Sequence, residues 1–292
     1  MGDVLAGIHA TWEFESDSVL IRFERGIRTP KLFQALRERR VPHEALASVT
    51  LSPGKRGTVV LHAVPRPGAD PLMEAAAGQL KDSGDPYRLV LPAERETLAE
   101  YYADELSTAL STTGPPGDDP ADRYLVDPPP APLNFKAYDG RASFDGSKVS
   151  FRWFWTGASS AKWKAGDQRF TVSELSGVEW RSPEAFEGYL RLLRRGDHQQ
   201  PAQADHDPAA VVFGLGYGPV HESLPFAAAV LAAVRTSGSA VHPGSVPVPV
   251  AAGRRDPADI AERIRHLGEL HDAGLVTDDE FSAKKAELLA EL

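Results

Sequence analysis

The 292-residue chain contains no cysteine, so disulfides, thiolate nucleophiles and zinc–thiolate sites are excluded. Long apolar runs are missing too. The longest, Phe226–Val234, has nine residues, whereas a membrane-spanning helix needs about 20. The opening MGDVLAGIHATWEF has no basic stretch ahead of an apolar core, so no secretory signal is expected. Together these absences set a cytoplasmic expectation. Catalytic signatures are scarce as well, with no GxSxG and no Walker loop. His198, Asp205, His206 and Asp207 fall close together, but paired-ligand spacing with a third ligand, as a metal site requires, does not occur. Phe213-Gly-Leu-Gly-Tyr-Gly218 lacks GxGxxG spacing, and Pro219 reads as a break after it. Positive charge is also short. Net charge is −9, and no segment carries the basic excess of a nucleic-acid domain. The expectation is a non-enzyme with no cofactor, no metal and no nucleic-acid partner.

What is present is repetition. FESDSVLIRF at Phe14–Phe23 returns as FDGSKVSFRW at Phe144–Trp153, with Phe14, Val19 and Arg22 matching Phe144, Val149 and Arg152 at an offset of 130. Both copies read as strand, tight turn, strand. Further on, Leu46 and Val49 match Leu175 and Val178 at 129, and Gly57–Leu61 matches Gly188–Leu192 at 131. Asp85-Pro86 finds a counterpart in Asp207-Pro208, and the apolar helix Leu98–Leu110 one in Leu224–Val234. Landmarks in one order imply a tandem duplication, with repeats at 3–110 and 133–236. Between them, 111–132 is proline-rich and acidic, with almost no apolar residues until Tyr124, so it reads as an exposed semi-rigid spacer.

The copies differ after the shared hairpin. In the first, Arg22–Arg40 holds seven basic residues against Glu24 and Glu38. A short helix or an irregular excursion fits there, behind Thr29-Pro30. Its arginines, Arg37, Arg39 and Arg40, are candidates for anionic lipid headgroups, against the reading of a solvated face paired with nearby acids. In the second copy, Trp153, Trp155 and Trp163 cluster. Strand alternation would put Trp153 and Trp155 on one face and Phe154 on the other, leaving core and interface both open.

Many short strands followed by one amphipathic helix describe a bent antiparallel sheet of about seven strands capped by a C-terminal helix. That is the layout of pleckstrin-homology-like (PH-like) domains, and from pattern alone another sheet-plus-helix α+β fold is nearly as good. The segments VPHEALASV, DPYRLVL, FRWFW, SELSGVEW and GYLRLL resemble an actinobacterial family of duplicated domains of unknown function grouped with PH-like folds. The resemblance implies a fold and no activity.

After an uncharged linker at 237–255, helical signals return over 256–292. Asp256-Pro257 caps one amphipathic stretch, Gly274 stops it, and Thr277 with Glu280 forms a capping box for a second. LGELHDAGLVTDDEFSAKKAELL closely resembles the SHOCT (short C-terminal domain) motif, matching at Leu267, Leu270, Leu275, Phe281 and Leu288 among others. Two such helices leave apolar faces half covered, and the resemblance implies oligomerisation or docking. The expected protein is an adaptor with two PH-like interaction domains and a self-associating C-terminal helical hairpin. Its protein partner is unspecified, and the alternative is a peripheral binder of anionic membrane headgroups.

Overall fold

The computed structural model describes residues 3–113, 119–185, 187–196 and 203–239. These lie in one compact unit within residues 1–241. The helical hairpin expected over 256–292 lies outside the described residues.

The first repeat opens with β1 (Asp3–Ala6), β2 (Ala10–Phe14), β3 (Ser18–Phe23) and β4 (Glu38–Pro42), an antiparallel meander in that order. A short helix α1 (Lys31–Leu36) interrupts the path from β3 to β4. A second meander follows, β5 (Leu46–Pro53), β6 (Thr58–Pro65) and β7 (Arg88–Pro92), with α2 (Pro71–Ala76) inserted before β7. Helix α3 (Glu96–Thr113) closes the repeat. Alternation sets the inward faces: Leu5, Trp12, Val19, Ile21, Val41, Leu61, Leu89 and Leu91 fill one core, which Ala99, Tyr102 and Leu106 of α3 cover.

The second repeat repeats this order. Strands β8 (Leu133–Lys136), β9 (Gly140–Phe144), β10 (Lys148–Trp153) and β11 (Gln168–Thr171) form the four-stranded sheet, with α4 (Ser160–Ala165) before β11. Strands β12 (Leu175–Arg181), β13 (Tyr189–Arg194) and β14 (Ala210–Val212) form the three-stranded one, and α5 (Val220–Ser239) ends it. Equivalent backbone bonds tie both pairs of sheets: Ile8 N–H donates to Val90 O at 2.7 Å, and Tyr138 N–H to Val212 O at 3.0 Å. Asp85 and Asp207 each accept the N–H two residues on, from Tyr87 and Ala209, so the Asp-Pro pairs open β7 and β14 alike. The chain is a duplicated α+β structure with antiparallel sheets.

Four expectations are corrected. The basic stretch contains a strand, β4, as well as the short helix. Pro219 starts a helix instead of breaking one, because its missing N–H costs nothing at a helix N-terminus. The match of Gly57 to Gly188 is out of register by two: Val49 pairs with Ala63 and Val178 with Leu192, so Ala63 and Leu192 are equivalent at offset 129. The slip keeps the strand face, since side chains alternate with period two. Finally, the described end of the 111–132 segment is docked. Ala121 N–H donates to Pro67 O, Leu125 and Val126 N–H to Ala69 O, and Ala121 and Val126 are buried.

The repeats share a core. Leu32 of α1 and Leu72, Ala75 and Ala76 of α2 join the cluster built from β8–β14 and α5. Helix α5 therefore packs on its own sheets and on α2, which explains the apolar run Phe226–Val234: both sides need burial. Around this seam, Gln79 works like a strand edge, donating to Trp180 O and accepting from Ser182 N–H, each at 2.9 Å. Lys81 pairs with Glu184 at 2.8 Å. Near the end of α5, Arg235 donates to Gly68 O and to Ala121 O, both at 3.0 Å, and lies 4.5 Å from the Tyr124 ring. One guanidinium clasps both repeats and the segment between them.

Candidate interaction surface

Two buried ion pairs occupy the repeats, and both are structural supports. In the first, Arg39 Nη2 meets Asp70 Oδ1 at 2.7 Å, and Tyr87 donates its hydroxyl to Asp70 Oδ2 at 2.8 Å. The same carboxylate caps α2 through Leu72 N–H. Burial opposes the Arg39 charge, yet Asp70 outweighs it and leaves the pKa raised. Burial, with Asp70 beside it, pushes the Tyr87 hydroxyl well up. In the second repeat, Lys162 Nζ donates to Asp139 Oδ2, both side chains fully or nearly buried. Asp139 Oδ1 accepts Val212 N–H at 2.9 Å, joining the two sheets. Burial lowers the Lys162 pKa and raises that of Asp139.

The arginine candidates separate. Arg37, just after α1, is exposed at φ 62°, where Gly166, just after α4, holds φ 70° in the other repeat. Arg39 is 6 % exposed and committed to Asp70, so the strand turns it away from any headgroup. Arg40 is exposed but bonds to Glu15 and Ser18, and Arg22 bonds to Glu13. A surface made of Arg37, Arg39 and Arg40 together does not form.

The tryptophans separate too, because β10 ends at Trp153 and the alternation stops there. Trp153 is buried, with its indole N–H donating to Gly166 O at 2.7 Å and Lys162 over its ring at 5.0 Å. Trp155 is 46 % exposed and meets Trp163 edge to face at 4.9 Å between centroids. Leu267, Leu270, Leu275, Phe281 and Leu288 lie outside the described residues.

Around Trp155 the fold gathers residues that sequence reading missed. Gly157 packs on the Tyr138 backbone, where an added Cβ would come within 2.2 Å of the Tyr138 carbonyl oxygen. Gly214 packs on the Tyr138 side chain, with 3.0 Å available. These close approaches bring the Trp155 turn and the 214–217 turn up against Tyr138, itself half exposed. Lys136 Nζ lies 5.3 Å from the Phe154 ring centre and 5.4 Å from that of Tyr217. Beyond Tyr217 opens a cleft of about 460 Å³ between the repeats, reaching Pro30 and Lys31 of the first and His221 of the second. Burial lowers the His221 pKa. The legible signal for this surface was FGLGYG, where a leucine between glycines has no neighbour to pack on.

Among the described residues, no cluster of three or more His, Asp or Glu side chains fits a metal ion, and no helix is long and apolar enough to cross a membrane. No curated protein matches the chain. Residues 262–289 match the family model described as Short C-terminal domain (SHOCT). Residues 12–107 and 142–231, together more than half of the chain, match the model described as Domain of unknown function (DUF4429). The two matched stretches fall on the two structural repeats, and the chain belongs to that DUF4429 family, as a duplicated member with a SHOCT segment behind it.

Proposed function

We propose that the protein is a non-catalytic adaptor: two PH-like repeats fused into one binding platform, followed by a C-terminal segment that self-associates or docks. The PH-like reading is supported by the four-plus-three strand order with a closing helix in each repeat. The observation that carries the adaptor reading is the seam. Helices α1 and α2 enter the other repeat's core, so both loop surfaces are held in fixed relation, which is what a platform requires. The buried charges serve as supports in this reading: Asp70 and Asp139 each hold a cation and a backbone N–H. A self-associating tail would then multiply a weak surface by avidity without new contacts.

The test is light scattering on the full chain and on one ending at Ser237. The reading expects the full chain to self-associate and the shortened one to be monomeric. Equal masses at all concentrations would count against it.

A further inference from the structure

Among the described residues, the most exposed large hydrophobic side chains are aliphatic. Ile27 and Leu215 are 105 % and 102 % exposed, as open as in an extended chain. Each sits at the tip of a turn, one closed by Thr29 N–H to Gly26 O (3.1 Å), the other by Tyr217 N–H to Gly214 O (2.9 Å). The first turn runs into Pro30 and Lys31 and the second includes Tyr217, residues that line the same cleft. Arg25, Arg28 and Lys31 flank Ile27 along the chain, all exposed and in no ion pair among the described residues. Lys136 and Tyr138 meet Tyr217 in the Leu215 turn, where Gly214 packs on Tyr138, and Trp155 lies in the turn of Gly157, which also packs on Tyr138. The nearby carboxylates are Glu24, Glu184, which is paired with Lys81, and Glu222, which lies beside His221.

A single aliphatic on a turn tip offers little to a flat protein interface, whose core is a contiguous packed patch. It gains by passing a charged layer into an apolar phase. Cations beside it attract anionic lipid, and Trp, Tyr and Lys each pair an apolar body with a polar tip, as the interfacial layer favours. We propose that this face docks peripherally on an anionic lipid bilayer, with Ile27 and Leu215 entering the headgroup–acyl boundary. Arg25, Arg28, Lys31 and Lys136 meet the lipid anions. The inference rests on the binding-platform reading and names its target. It also moves the membrane contact off β4, where Arg39 is buried and Arg40 is neutralised by Glu15.

The experiment sediments the full chain with phosphatidylcholine vesicles, with and without phosphatidylserine, at low and high salt. Wild type is expected to pellet with the anionic vesicles, to be released by salt, and to shift its tryptophan emission to the blue as Trp155 leaves water. Ile27→Asp with Leu215→Asp should reduce binding by about tenfold or more with an unchanged thermal melt, and Trp155→Ala should reduce it less. Wild type remaining in the supernatant overturns the proposal, as does undiminished binding by the double variant. A wild type that ignores vesicles but loses an interprotein contact in the double variant also overturns it, in favour of a protein interface. Self-association without vesicle binding sinks only this inference. Vesicle binding by a chain that stays monomeric sinks only the adaptor reading.

Discussion

The two repeats keep the same backbone bonds and spend their side chains differently. At the corner after the shared hairpin, Glu24 N–H donates to His9 O in one copy and Phe154 N–H to Asp139 O in the other, both at 2.9 Å. In the first copy Phe33 of α1 stacks on Phe23 at 4.6 Å. In the second, Lys162 of α4 lies over Trp153 and pairs with Asp139. An aromatic contact in one copy is replaced by a cation–ring contact and a buried ion pair in the other. The loop beyond diverges further, to Arg25 and Arg28 in one repeat and Trp155 in the other. Duplication has conserved what holds the sheets together and released what faces outward. The helices differ for a related reason: α3 covers one core and leaves Tyr101 exposed, while α5 is buried against its sheets and against α2.

The comparison breaks hardest at the buried carboxylates. Asp70→Ala strands Arg39 and frees the Tyr87 hydroxyl, and should cost about 3–5 kcal/mol in urea unfolding. Asp139→Ala should cost a similar amount by stranding Lys162. The sharper version removes both charges in the second repeat. Asp139→Asn with Lys162→Met keeps the bond to Val212 N–H and should return to within about 1–2 kcal/mol of wild type. Phe33 of the first repeat already shows that an apolar side chain suits this corner. A double variant as unstable as Asp139→Ala would mean that the ion pair itself is needed.

Smaller effects probe the seam and the histidines. Gln79→Ala removes two bonds to β12 and its end, leaving Trp180 O and Ser182 N–H to find other partners, and should cost about 1–3 kcal/mol. Acidification should act through His43 and His221, both of which burial holds below the ordinary imidazole value. The unfolded chain takes up protons near pH 6.5 while the folded one resists, so stability is present above that range and declines as pH falls through it. Thermal melts between pH 8 and about pH 5.5 should show this decline, and His43→Gln should flatten part of it. A melting temperature that rises on acidification would contradict the assignment.

Much of the fold was written locally. Phe14, Val19 and Arg22 return at a fixed spacing because strands on either side of a tight turn tolerate little insertion, and Asp85 and Asp207 mark strand starts through a bond two residues long. Strand β4 was hidden because ERRVP reads as charge. Arg39 is buried only because Asp70, 31 residues away, arrives beside it. Trp153 and Trp155 look alike in sequence, and only the end of β10 divides core from surface. The 119–126 segment sits in a proline-rich, acidic stretch that masks its docking, and its bonds go to the carbonyls of Pro67 and Ala69. The shared core had one trace, the apolar run in α5, whose second partner could be named only once α2 was in place. The loop surface was least legible, because exposed residues on three separate segments of the second repeat meet through the close approaches of Gly157 and Gly214.

The central claim is that the two repeats form one body. Differential scanning calorimetry of a chain ending at Ser239 tests it most directly. One body predicts a single transition whose calorimetric and van't Hoff enthalpies agree, with Asp70→Ala in the first repeat and Asp139→Ala in the second lowering that same transition. Two separable transitions, each answering to only one of these substitutions, would contradict it.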